Sequence, residues 1–472
     1  MARLTTLREA PTIRRRGAMA RRGLWVGGLL TSSVVAAGGC GGEGSVDVGA
    51  PHSAVLDAGR HTGVDAAVRE RDAARSDGES DDVERTRDAI IDSRAEDAEG
   101  GFLPGRPEVI CAESAAVPVA PEASTFITDA NVQSADSLDV PSNGDLWPSC
   151  WSGDALYGAW GDGFGFSEAG AYSRPSIGVA RILGDPSEPD AMSGETLAHD
   201  DDTQAIFKVW TAGPYYQKPT GMLCLNGQTF LAVQDLNASN YGDAPAATIA
   251  VSTDSGQTWT ENSAAPMFDN HEFTTVMFLD YGQDASWSKD STIYVYGLDY
   301  NWRWTVSTTP PQGLYLARVA SADTLLDRST WEYFGGTDSA GVPVWTADFT
   351  QRLPVLVDCT RRYVTASFPG YSVIAQGSIV YDAPRDRYLY TSWTDLTYEF
   401  YEAPNPWGPW RKFLYRDFGA YPWTATLNGG YATTVPSKFI SAEGGAMWVQ
   451  SNTYGSGVLH NNFALRTLEI TE

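Results

Sequence analysis

The sequence predicts an all-β fold, a five-bladed β-propeller, on two observations. The first is composition: 16 Trp, 22 Tyr and 17 Phe stand beside 47 Gly and 26 Pro in 472 residues. Aromatic strand formers mixed with turn formers point away from a helical bundle or coiled coil. The second is repetition. From about residue 124 an apolar run, a short polar turn and a second apolar run recur five times, each followed by a similar third strand. A β-sandwich would not need the same three-strand order five times.

Residues 1–40 read as an export signal. Arg14, Arg15, Arg16, Arg21 and Arg22 precede an apolar run from Leu24 to Ala37, and Gly38-Gly39-Cys40 follows. Fourteen residues rise only about 21 Å as a helix, too short for a bilayer core of ~30 Å. Basic, apolar, then small residues and Cys resemble a bacterial lipoprotein signal, with Cys40 the lipidated residue; an ordinary secretory signal cut near Ala37 is the alternative. Either route takes the mature protein out of the cytoplasm, and the lipid route anchors it to the cell envelope at an outer membrane or cell surface. Residues 41–123 read as a disordered, acidic and Pro-containing linker. Residues 41–103 hold 16 acidic side chains against 7 arginines, and no aromatic residue lies between Trp25 and Phe102. Such a segment cannot bury enough surface to offset its chain entropy.

Residues 124–472 carry the repeats. The first hairpin runs from Asp145 through the turn Ser152-Gly153-Asp154 to Asp162. The second joins Lys218–Leu225 to Thr229–Asp235 through Asn226-Gly227, a strong hairpin signal. The third takes Glu272–Leu279 to Ile293–Asp299 across a longer loop; the fourth turns at Pro384-Arg385-Asp386; the fifth joins Ser437–Ile440 to Met447–Gln450. Third strands follow at Ile177–Ile182, Thr248–Ser252, Leu314–Val319, Glu399–Glu402 and Phe463–Arg466. The fifth unit lacks an outer strand of its own, and residues 124–133 are expected to supply it.

The formal net charge of -26 and pI of about 4.5 argue against a nucleic-acid partner, because an acidic surface repels phosphates. The five histidines show no metal-ligand spacing, so no cofactor is expected, and nothing in the spacing calls for structural calcium. Cys111, Cys150, Cys224 and Cys359 reach an oxidising compartment, where one or two disulfides can form among three pairings; Cys150 and Cys224 occupy similar places on neighbouring inner strands, and buried free thiols are the equal alternative. Ser252-Thr-Asp254-Ser-Gly256-Gln-Thr258-Trp259 is a complete Asp-box, a turn motif with a structural role between third and fourth strands.

A run of ordered matches resembles the domain-of-unknown-function family 4185. It begins at Asp145-Leu-Trp147-Pro148 and Gly161-Asp162-Gly163, and continues through Ile177–Arg181, Lys218 with Gly221-Met-Leu, the Asp-box and Tyr294-Val-Tyr296. It resumes at Leu314–Val319, Trp331–Phe334, Pro343-Val-Trp345, Ala403–Trp410 and Pro436-Ser-Lys438. Leu146 departs from the pattern, standing where a polar residue is usual, and Asn270-His271-Glu272 replaces a Gly-containing stretch. The family is related to glycoside hydrolase family 183, endo-acting D-arabinanases. The resemblance therefore implies a carbohydrate-active propeller, with a polysaccharide such as D-arabinan as partner.

Hairpin arithmetic nominates the site. The start of each first strand faces the end of the second, so Asp145 meets Asp162, Lys218 meets Asp235 and Glu272 meets Asp299 at one mouth of the channel. Glycoside cleavage needs one carboxyl to protonate the leaving oxygen and another to activate water or attack carbon. Asp145, Asp162 and Glu272 are the expected catalytic acids. Lys218, Asp235, Asp299 and Lys438 are expected to contact substrate, with Trp147, Trp160 and Trp302 as stacking platforms. The reading is a monomeric glycoside hydrolase that meets the membrane only through its lipid; a non-catalytic propeller binding glycan or protein is the alternative.

Overall fold

The computed structural model describes residues 119–133, 138–168, 175–200, 215–237, 243–261, 266–300, 313–360, 374–393, 397–417, 432–455 and 458–472. The export signal with Cys40, nearly all of the linker, Cys111 and Trp302 lie outside them. The described chain is all β, with short 3-10 turns and no α-helix. Its strands form a succession of antiparallel sheets.

In the first, Asn143–Asp145 and Ser149–Ser152 both pair with Ala155–Gly165, which continues to Ile177–Leu183 and Ser193–His199. The second runs Tyr215–Leu225, Gln228–Asn237, Ala246–Ser252, Thr260–Glu261. Its first turn has the chemistry the sequence asks for: Asn226 and Gly227 take φ of 55° and 74°, the left-handed pair that matches strand twist. The third runs Thr275–Asp280, Ile293–Leu298, Gly313–Val319, Glu332–Thr337, and the fourth Gly377–Asp382, Arg387–Trp393, Thr397–Ala403, Arg411–Asp417. Their inner strands also pair in parallel, Leu279 with Ile379 and Asp280 with Val380.

The last sheet is the least regular. Ser437–Phe439 forms a 3-10 turn where a strand is expected. Pro436 precedes it, and the Ser437 N–H donates to Asp280 Oδ2 at 3.3 Å rather than to a ladder. Thr434 bridges Gln450, and Trp448–Gln450 pairs with Phe463–Thr471. On the other side of Phe463–Thr471 lie Leu138–Val140 and Asp129–Val132, the latter in register from Asp129 opposite Thr471 to Val132 opposite Leu468. Backbone bonding starts ahead of residue 124: the Cys359 N–H donates to Val119 O at 2.7 Å and that of Lys412 to Glu122 O at 3.0 Å. The chain is thus already hydrogen-bonded at Val119, four residues before the expected end of the linker.

Buried aromatic and branched side chains fill the spaces between neighbouring sheets, with Phe230, Phe268, Phe273 and Trp331 between the second and third. Ser149, Thr220, Met277, Gly377 and Val435 line one narrow cavity. A Cys150–Cys224 disulfide ties the first two inner strands, and Cys359 is also disulfide-bonded. The Asp-box joins Ala246–Ser252 to Thr260–Glu261: Asp254 Oδ1 accepts the N–H groups of Gln257 and Thr258, and Trp259 Nε1 donates to Gly256 O at 3.1 Å.

Candidate active site

Asp145 lies opposite Gly161, so it stands one residue from facing Asp162. A β-carbon on Gly161 would lie 2.6 Å from Asp145 Oδ1 and 3.4 Å from Lys218 Cδ, which places both side chains around that glycine. Lys218 is buried; it forms an ion pair with Asp162 and donates to Ser176 O at 3.2 Å. Ser176 in turn donates its N–H and its hydroxyl to Asp200. The backbone around this cluster is strained. Leu146, Trp147 and Asp162 have φ of 76°, 47° and 48°, a region that side chains with a β-carbon rarely occupy and that concentrates at functional sites.

Lys218 and Asp235 do not face each other. Counting back from Asn226-Gly227, the ladder is regular to Gly221 opposite Ala232; then Thr220 is skipped, and Pro219 pairs with Val233. This bulge places Lys218 opposite Gln234 and Gln217 opposite Asp235. A one-residue slip sends side chains to opposite faces, so Lys218 leaves the face of Asp235 and reaches Asp162 instead. Asp235 is left buried at 2% exposure, and burial pushes its carboxyl up to about 7. Tyr215 shares the Gln217 face of this ladder; burial, then the charges of Asp243 and Asp235, raise its phenol above the ordinary value.

Glu272 and Asp299 do come together, through a residue the hairpin count does not reveal. Arg352 donates to Asp299 Oδ1 at 3.0 Å and lies 3.6 Å from Glu272 Oε1; its guanidinium stacks 3.9 Å from the Phe349 ring centre. Asp299 Oδ1 also accepts the Phe273 N–H at 2.9 Å. Next to this group His271 Nε2 sits 2.6 Å from Asp243 Oδ1, and its ring stacks on Tyr300. Asn270, His271 and Phe273 are left-handed, with φ of 56°, 64° and 59°. Glycine would adopt these angles without strain, so Asn270 and His271 carry a backbone cost here, and His271 places an imidazole beside the Asp243 carboxylate.

Three further expectations are corrected. Trp147 and Trp160 are not platforms, since each is 0% exposed. Trp147 packs edge-on to Phe166 and Phe463, and Trp160 lies in a glycine-walled slot where a β-carbon on Gly178 would come within 2.0 Å of its ring. Lys438 is at the other end of the sheets. It donates to Gly184 O at 2.9 Å; burial lowers its ammonium, against the charges of Asp154 and Asp185. Asp154 belongs to the far turn of the first hairpin. The aromatic that does face solvent at the carboxyl end is Tyr216, 42% exposed, with Lys218 Nζ 5.8 Å from its ring centre. The pair Tyr215-Tyr216, separated from Lys218 by Gln217, was the available sequence signal for it. Asp200, Asp243, His271 and Arg352 meet their partners across 24 to 53 positions, and no local motif marks them.

The arrangement therefore offers an ion-paired carboxylate at Asp162, a buried carboxyl at Asp145, and a third at Asp235 whose proton is held to near neutral pH. Such divergence of environments separates acid from base roles. Among the described residues no group of three His, Cys, Asp or Glu side chains is arranged to hold a metal ion.

No family model matches the sequence, and no curated protein matches it. Solved structures similar to it include a GH43_1 enzyme from Xanthomonas citri, at 14% identity over 71% of this chain and 89% of that one, with a TM-score of 0.39. A GH43 beta-xylosidase/alpha-arabinofuranosidase from a compost microbial metagenome is 14% identical over 73% of this chain and 94% of the other, with a TM-score of 0.39. A glycosyl hydrolase from Bacteroides ovatus is 11% identical over 74% and 93%, with a TM-score of 0.37.

Proposed function

We propose that the protein is an exported, lipid-anchored glycoside hydrolase that cleaves a furanoside polysaccharide such as D-arabinan. Its sheets are read as five blades around the narrow cavity, closed by Asp129–Val132 as the outer strand of the fifth. The basic, apolar and Gly-Gly-Cys40 leader supports the anchor, and the family resemblance supports the substrate class.

The observation that carries the reading is the contrast between Asp235 and Asp162 at one end of the sheets. A general acid must keep its proton at working pH, and Asp235 does so because burial pushes its carboxyl up to about 7. A base or nucleophile must be charged, and the Lys218 ion pair suits Asp162 to that role. Asp145, wedged against Gly161, orients the reacting sugar or its water. Tyr216 offers a face to the C–H side of a sugar ring.

The test compares D-arabinan with a dinitrophenyl arabino-oligosaccharide, whose leaving group needs no proton. Asp235→Asn should slow arabinan cleavage roughly 10²–10⁴-fold and spare the dinitrophenyl substrate. Asp162→Asn should slow both. Near-parental arabinan cleavage by both variants would end the proposal.

A further inference from the structure

A second cleft, of about 500 Å³, opens at the opposite end of the same inner strands. It lies between the Asn226 turn, the segment 281–292 joining Thr275–Asp280 to Ile293–Leu298, and residues 320–322. From Lys218 to Leu225 the strand climbs roughly 23 Å, so the cleft is separate from the carboxyl cluster. Its volume falls within the ~300–1,000 Å³ of small-ligand sites.

The lining has a definite chemistry. Leu223, Leu279 and Ile293 contribute apolar surface, while Ser286, Ser288, Ser291, Thr292 and Ser321 contribute hydroxyls; no charged side chain lines it. Ser288 Oγ is buried and has no hydrogen-bond partner among the described residues. A buried hydroxyl left unbonded is costly, and a ligand that bonds it recovers that cost. The wall carrying it is strained and pinned. Asp284, Ala285 and Ser291 have φ of 49°, 57° and 57°. The same segment is held to the first hairpin, where Gln283 Nε2 donates to Gly153 O at 2.8 Å, the Gly153 N–H donates to Asp284 Oδ2 at 3.3 Å, and Trp287 packs edge-on to Trp151. Strain stabilised by surrounding contacts is typical of a preorganised site.

We infer that this cleft is a binding site for a neutral oligosaccharide, distinct from the carboxyl cluster. A pyranose or furanose ring presents an apolar C–H face and a rim of hydroxyls, and the cleft presents leucine and isoleucine beside serine and threonine. An ionic ligand would find no counter-charge in it. The site holds a glycan without cutting it, because no carboxyl or imidazole lines it. Its existence does not depend on the cleavage chemistry at the other end.

The test is calorimetric titration of the full chain with arabinohexaose, xylohexaose and cellohexaose, in an Asp235→Asn background so that the probe is not consumed. At least one sugar should bind, and Ser286→Trp at the exposed rim should weaken it tenfold or more. Ser288→Ala should weaken the same sugar severalfold without lowering the urea midpoint, since its hydroxyl bonds nothing in the fold. Val344→Ala, on the exposed strand Pro343–Thr346 and outside both clusters, should leave this binding unchanged. Absence of binding by all three sugars overturns the inference, as does binding that neither Ser286→Trp nor Ser288→Ala moves, whatever the arabinan assays show.

Discussion

Replacing Asp235 by Asn tests the buried carboxyl without any knowledge of substrate. The ordinary carboxyl value is 3.8 and burial raises it to about 7. Between about pH 4 and pH 7 the folded protein therefore keeps a proton that the unfolded chain has released. Folding stability must fall as pH rises through that window; the contribution is complete below about 4 and gone above 7. Three pKa units amount to at most about 4 kcal/mol, and the two units between pH 5 and 7 to about 2–3 kcal/mol, less where water reaches the group. Asparagine keeps the shape and removes the titration. The assay is urea unfolding of parent and Asp235→Asn at pH 5 and pH 8. The loss of stability on going to pH 8 should be smaller in the variant by about 1–3 kcal/mol. Asp280, raised to about 6 by burial against its bonds to Ser437 and Gly282, and Glu399, raised chiefly by burial, titrate in both proteins and cancel in the difference. A difference below about 0.5 kcal/mol, or one of opposite sign, would refute the burial argument and with it the acid role of Asp235.

Two further outcomes follow from the fold. Deleting residues 124–132 removes the strand beside Phe463–Thr471 and the buried side chains of Ile127 and Val132, a loss of at least about 3–6 kcal/mol in burial alone. The shortened domain should melt well below the parent, and equal melting would mean that this strand does not close the sheet assembly. Cys150→Ser with Cys224→Ser opens a loop spanning a separation of 74 residues, which by chain entropy costs roughly 4 kcal/mol at most. The urea midpoint should drop accordingly and become insensitive to reductant at this bridge; an unchanged midpoint would place the stability of the first two sheets elsewhere.

What could be read in the chain was local, and what could not was long-range or depended on one extra residue. The Asn226-Gly227 turn and the Asp-box each contain their own geometry, so sequence sufficed for both. Composition marked Trp147 and Trp160 as aromatic without saying on which side of a strand glycines would wall them in; Gly144, Gly165 and Gly178 do so for Trp160 from distant positions. Arg352 reaches Asp299 across 53 residues, and no spacing rule finds such a pair. The bulge at Thr220 matters most for the chemistry. In an uninterrupted ladder Lys218 would stand opposite Asp235, and its ammonium would hold that carboxyl in the charged form. The skipped residue turns Lys218 to Asp162, and Asp235 is left where burial governs its proton. One inserted residue in an inner strand thus separates two carboxyls into one that is ion-paired and one that stays protonated near neutrality. That asymmetry is what the proposed acid and base pair requires, and the sequence shows it only as a proline followed by a threonine and a glycine.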